Sequence, residues 1–103
     1  MVFKNYPIYE YGNTVYFECT FLDLTFNKTD PVSPEYQIKN ERGQIIDSGT
    51  LTKKEKGVYY VFWTPNQEGL LEIVFSGTIE GQTVKMREKF EVKRTSWKGE
   101  NFS

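Results

Sequence analysis

Residues 57–69, GVYYVFWTPNQEG, decide the reading of this chain. Val58 through Trp63 are all aromatic or β-branched, side chains that suit a pleated, half-buried surface. The run ends at Thr64-Pro65-Asn66, where proline withholds a backbone donor and asparagine accepts a turn. A strand alternates its side chains, so Tyr59, Val61 and Trp63 share one face while Val58, Tyr60 and Phe62 share the other. With the first set in the core, the strand is left apolar on its outer side as well.

The rest of the chain extends this β reading. It has 103 residues, enough for one domain with one core. Eight Phe, seven Tyr and two Trp stand against no alanine at all, which argues for strands and against any long helix. A formal net charge of -1 gives no field that would draw the chain to nucleic acid. No apolar run approaches the roughly 18 residues of a membrane span, and MVFKNYPIYEYG lacks the apolar centre of a signal peptide. The expectation is a soluble chain without a signal peptide, in a virion or the cytoplasm. Cys19 is the only cysteine, so no internal disulfide is possible.

Taken in order, residues 6–11 read as an edge strand interrupted by Pro7. After the Gly12-Asn13 turn, residues 14–22 alternate, with Val15, Phe17, Cys19 and Phe21 inward and Tyr16, Glu18 and Thr20 outward. Residues 23–34 form a loop in which Pro31 and Pro34 mark the approach to the next strand. Strands follow at 35–40 and 45–51, then a charged connection at 52–56 whose lysines, Lys53, Lys54 and Lys56, read as solvated. Beyond the central strand come 69–79, with Leu71, Ile73 and Phe75 on one face, and 83–92, where Glu88 interrupts an inward row of Val84, Met86, Phe90 and Val92. A charge in that row predicts a bulge or a position that reaches solvent. The domain spans 1–92, and 93–103 reads as a C-terminal tail.

Seven short strands at even spacing with turn signals between them predict an all-β antiparallel β-sandwich. The punctuation Gly12-Asn13-Thr14-Val15, Asp30-Pro31-Val32-Ser33-Pro34, Gly57-Val58-Tyr59, Trp63-Thr64-Pro65, Glu68-Gly69-Leu70 and Phe90-Glu91-Val92 resembles that of bacterial and phage-type immunoglobulin-like domains. The resemblance covers about residues 6–92 and implies a seven-stranded immunoglobulin-like fold. It also implies an adhesive, decorating or spacer role without catalysis, as in phage and viral structural proteins. The antibody-type disulfide is missing, because opposite Cys19 the sixth strand offers only Leu71, Ile73 or Phe75.

The absence of histidine removes Ser-His-Asp and Cys-His nucleophiles and histidine-ligated zinc. Glu35, Glu41, Asp47, Glu68 and Glu72 are carboxylates a glycosidase would need in pairs, yet no pair stands out and solvation explains them. No phosphate loop occurs, so the expectation is no enzyme and no cofactor. Asp23, Asn27, Thr29 and Asp30 carry loop oxygens that could meet at a calcium ion, although the spacing matches no EF-hand and such residues are ordinary turn formers.

Surface aromatics carry the functional expectation. If the central strand lies beside the second, Tyr16, Val58, Tyr60 and Phe62 form an apolar patch large enough to suggest a protein partner or self-association. The opposite sheet would present Gln37, Lys39, Lys85, Arg87 and Lys89, a wet and mostly basic face. Two alternatives stand beside the interface. The N-terminal segment with Phe3, Tyr6 and Ile8, or the tail with Trp97 and Phe102, covers the patch internally. Otherwise the rings stack on sugars, as in a carbohydrate-binding module.

Overall fold

A computed structural model describes residues 6–94. They form two sheets and no helix. The strands are β1 (Ile8–Glu10), β2 (Val15–Thr20), β3 (Val32–Lys39), β4 (Ile45–Thr50), β5 (Thr52–Glu55), β6 (Val58–Trp63), β7 (Gly69–Ile79) and β8 (Gln82–Lys93). One sheet has the order β1-β8-β7-β3-β4, and the other is β2-β6-β5.

This is the expected all-β, two-sheet architecture, with corrections to the strand list. Eight strands are present where seven were expected, because residues 52–56 are not a connection. Thr52, Lys53 and Glu55 pair with Tyr60, Tyr59 and Val58 of β6. All four residues of β5 are exposed, so no hydrophobic alternation marks it and only backbone pairing makes it a strand. Nor is the fold wholly antiparallel: β1 runs parallel to β8, with Ile8, Tyr9 and Glu10 opposite Glu91, Val92 and Lys93.

β3 begins at Val32, three residues earlier than expected, and so contains Pro34. A register shift between Val32 and Glu35, with Ser33 at φ 54°, takes the proline out of the regular β3–β7 ladder. The Pro34 carbonyl accepts instead from Leu51 N–H at 3.0 Å. At the C-terminal end, β8 runs through Lys93, and Arg94 donates to Glu68 at 2.8 Å while lying over the Tyr11 ring.

The core lies between the sheets. Val15, Phe17, Cys19, Tyr59 and Trp63 from the smaller sheet meet Ile38, Leu71, Ile73, Phe75, Phe90 and Val92 from the larger one. Phe90 is the hub of the aromatic packing, with Tyr9, Phe17 and Trp63 rings at 5.7, 5.1 and 5.9 Å. The Trp63 indole N–H donates to Asp47 Oδ2 at 2.7 Å, which ties β6 to β4 across the sandwich. Cys19 is buried and free, its thiol pushed up to about 12, first by burial and then by the charges of Glu88 and Glu18.

Asp30 fixes the long β2–β3 loop to β6. Its carboxylate accepts from Lys53 Nζ at 2.7 Å, from Gly57 N–H at 2.8 Å and from the Tyr59 hydroxyl at 3.2 Å. Those donors, Lys53 foremost, hold its pKa below the usual carboxylate value. Gly57 makes the approach possible: at φ +77° it adopts a left-handed turn, and an added Cβ would lie 2.8 Å from Lys28 Cβ and 2.9 Å from Thr29 N.

Candidate binding face

The outer face of β2-β6-β5 is built by the ladder between β2 and β6. Tyr16 stands opposite Phe62, Glu18 opposite Tyr60 and Thr20 opposite Val58. Alternation sends all six side chains away from the core, because their neighbours Phe17, Cys19, Tyr59 and Trp63 fill it. Three of the four expected patch residues therefore come together. Tyr16 and Tyr60 stack at 5.5 Å, Tyr16 and Phe62 lie tilted at 5.2 Å, and Tyr60 meets Phe62 edge-on at 5.6 Å. Tyr16 is 43% and Phe62 61% exposed, while Tyr60 is half-buried between them.

Val58 departs from the expectation. It belongs to the outward row by register, yet it is only 4% exposed and lies outside the contiguous core cluster. The accessible patch is therefore a triad of rings at the Tyr16 end of the sheet.

Polar groups frame these rings. The Tyr16 hydroxyl donates to Glu18 Oε1 at 2.6 Å, and Lys54 Nζ reaches the same oxygen at 3.2 Å. The two donors, Tyr16 first, hold the Glu18 carboxylate below its ordinary pKa, and the Tyr16 phenol is raised in return. Thr14 and Thr64 share a hydroxyl hydrogen bond of 2.8 Å beside the same end of the sheet.

Of the segments expected to cover the patch, Phe3, Trp97 and Phe102 lie outside the described residues. Ile8 belongs to β1, in the other sheet, and is exposed there.

The opposite face carries the five expected polar residues together, and the register interleaves acids with them. Lys39, Glu72 and Lys89 form one row, and Gln37, Val74 and Arg87 the next. Arg87 approaches Glu72 at 3.7 Å. Glu88 sits in an unbroken β7–β8 register and is exposed, so the interruption of the inward row is a solvent-reaching position rather than a bulge.

The loop carboxylates considered for calcium bond to protein donors. Asp23 Oδ1 accepts from Thr25 N–H, the Thr25 hydroxyl and Asn27 N–H, whereas Asp30 belongs to the separate network with Lys53, Gly57 and Tyr59. Among the described residues no group of three or more His, Cys, Asp or Glu side chains could hold a metal ion. Of the carboxylates considered for a glycosidase, Asp47 is engaged by Trp63, Glu68 by Arg94 and Glu72 by Arg87.

One apolar feature escaped the sequence reading. The Asp23 hydrogen bonds, with Asp23 N–H on the Asn27 carbonyl and the Leu22–Lys28 bridge, shape residues 22–28 into a tight tip. That tip presents Leu24 and Phe26 at 84% and 81% exposure, with Phe26 in the left-handed region at φ 65°. The available signal was alternation: apolar residues at 22, 24 and 26 inside an otherwise polar loop. Comparison with protein-family models, curated proteins and solved structures finds no match to this chain.

Proposed function

We propose that this chain is a non-catalytic, immunoglobulin-like structural or protein-interaction module that binds its partner through the aromatic face of β2 and β6. The observation that carries the reading is the triad of Tyr16, Tyr60 and Phe62, exposed at Tyr16 and Phe62, with centroids 5.2 to 5.6 Å apart on the outer face of one sheet. Rings already packed against one another lose little conformational entropy on binding, which is why aromatic clusters serve as anchors at interfaces.

Strand order supports the immunoglobulin-like part. With β2 to β8 taken in turn as strands B, C, C′, D, E, F and G, the smaller sheet is B-E-D and the larger is C′-C-F-G, as in the variable-type arrangement. β1 then lies on the outer edge of the last strand. A role as a phage or viral structural component follows from the resemblance of the turn motifs described above.

A second reading, carbohydrate binding, has its own support. Glu18, Lys54 and the Thr14–Thr64 hydroxyls supply, beside the exposed rings, the polar groups that sugar hydroxyls need.

The test is to immobilise the wild-type chain beside Tyr60→Glu and Phe62→Glu and present each to host lysate and to a glycan array. A protein held by the wild type and lost from both variants, with the fold intact, supports the interaction reading. A sugar lost in the same way supports the second. Equal retention by all three chains refutes the aromatic face as a site.

A further inference from the structure

We infer that β2 is a docking edge for β2 of a second copy of this chain, the two strands pairing antiparallel about a two-fold axis at Phe17. Two three-stranded sheets would then continue as one sheet of six. The inference uses the backbone edge of β2 and does not depend on the aromatic face being a binding site.

The sheet edges of this fold differ in how they are protected. An exposed edge invites pairing with another chain unless it is short, bulged, charged or carries proline. β1 has three residues and follows Pro7. β4 contains Gly49 and has a register shift against β3 beside Ile45. β5 has four exposed residues, two of them lysine, and a register shift against β6. Where β8 runs on beyond β1, it carries Lys85, Arg87 and Lys89, and Glu88 supplies a charge in the inward row. β2 has none of these devices except Glu18. It is six residues of VYFECT in unbroken register with β6, and among the described residues no strand pairs with its other side.

The ladder shows which backbone groups that side offers. Phe21 N–H donates to the Gly57 carbonyl at 2.7 Å, one step beyond the Thr20–Val58 pair. Bonded and non-bonded pairs alternate in an antiparallel ladder. The bonded pairs are therefore Cys19–Tyr59, Phe17–Val61 and Val15–Trp63, and the N–H and C=O groups of Tyr16, Glu18 and Thr20 face the open side.

Side-chain alternation then restricts the register. Inward residues must stay inward, so the two-fold axes with the most overlap, five of the six residues, fall at Phe17 or at Glu18. An axis at Glu18 sets two carboxylates directly opposite each other, which is unfavourable. An axis at Phe17 sets Tyr16 opposite Glu18 of the second copy, in a pair whose backbones exchange two hydrogen bonds. Tyr16 already donates to Glu18 at 2.6 Å within one chain, so the same donor and acceptor suit each other across the axis. A net charge of -1 per chain offers little repulsion to a second copy. The joined sheet would bring both Tyr16–Tyr60–Phe62 triads onto one surface.

The test is light scattering of the full chain from about 1 µM to about 1 mM, a range that spans weak edge contacts, with amide exchange at both ends. The expected result is a mass that doubles with concentration, while the Tyr16 and Glu18 amides slow by about tenfold or more. Glu18→Pro removes one edge-facing N–H without touching the β2–β6 ladder and should abolish the doubling, whereas Phe62→Glu should preserve it. The inference is overturned by a constant mass with those two amides exchanging alike at both concentrations, or by their protection at every concentration. A dimer kept by Glu18→Pro and lost in Phe62→Glu overturns it too and assigns self-association to the aromatic face. Should Glu18→Pro fail to fold, wild-type amide exchange decides alone.

Discussion

Two phenylalanines in opposite sheets, Phe90 on β8 and Phe62 on β6, test most directly whether the outer side of β6 is a free surface. Phe90 is 1% exposed and touches three other rings, whereas Phe62 is 61% exposed and touches two. Phe90→Ala removes a fully buried side chain from the meeting point of both sheets, and such truncations cost about 3 to 5 kcal/mol because the surroundings refill the space only in part. Phe62→Ala loses only the ring contacts to Tyr16 and Tyr60, each about 0.5 to 1.5 kcal/mol, with little change in burial, so about 1 to 3 kcal/mol in total. In a domain of this size 1 kcal/mol moves the melting temperature by about 4 to 8 °C. Calorimetry should therefore place Phe62→Ala about 4 to 24 °C below the wild type and Phe90→Ala about 12 to 40 °C below it, or unfolded, with Phe90→Ala the lower of the two. Equal losses would refute the reasoning, since Phe62 would then be core and the aromatic face would not be a free surface.

Two further predictions concern the Asp30 network. Gly57→Ala should cost about 2 to 4 kcal/mol in urea unfolding, from left-handed strain together with overpacking against Lys28 and Thr29; a change below about 0.5 kcal/mol would show that this turn relaxes freely. Stability should also fall in acid. The Asp30, Asp23 and Glu18 carboxylates are all held below their ordinary values of 3.8, 3.8 and 4.5 in the fold, so the unfolded chain takes up protons first as pH drops. Their contribution is complete above those ordinary values and is lost as pH falls through the lower folded ones. Urea midpoints measured from neutral pH downward should decline below about pH 4, and Asp30→Asn should flatten that decline; an identical decline in the variant would remove Asp30 from it.

How far the fold was legible depended on whether a strand owes its existence to side chains or to its partner. β2, β6, β7 and β8 bury alternate large apolar residues, so period two exposed both their extent and their inner faces. β5 buries nothing. TKKE is a strand because β6 lies beside it, and composition at 52–56 could only suggest a charged connection. Pro34 misled for the related reason that a proline forbids a ladder bond but not a bulge, and Ser33 supplies the bulge. The parallel pairing of β1 with β8 joins the two ends of the chain, and no local pattern carries such a contact.

The candidate face was legible to the same degree. Outward alternation on two strands correctly placed Tyr16, Tyr60 and Phe62 together once β2 and β6 were taken as neighbours. It failed at Val58, because alternation fixes the direction of a side chain and not what lies over it. The tip at residues 22–28 failed in the opposite way, since a stretch of turn-forming residues hid two large apolar side chains that the Asp23 hydrogen bonds hold in solvent.

Glu88 links the inner face of β8 to its open edge. In the inward row it is out of place, a carboxylate among Val84, Met86, Phe90 and Val92 that reaches solvent, and after burial its charge is the next cause that raises both the Cys19 thiol and the Tyr9 phenol. As an edge position it has a purpose. It lies on the part of β8 that β1 leaves uncovered, where an inward charge and the outward Lys85, Arg87 and Lys89 together make an incoming strand unfavourable. A chain that gives up core apolarity at one open edge, and leaves β2 with a single acid facing a tyrosine donor, has distributed its protection unevenly. The same physics that closes β8 to a neighbour leaves β2 open to one.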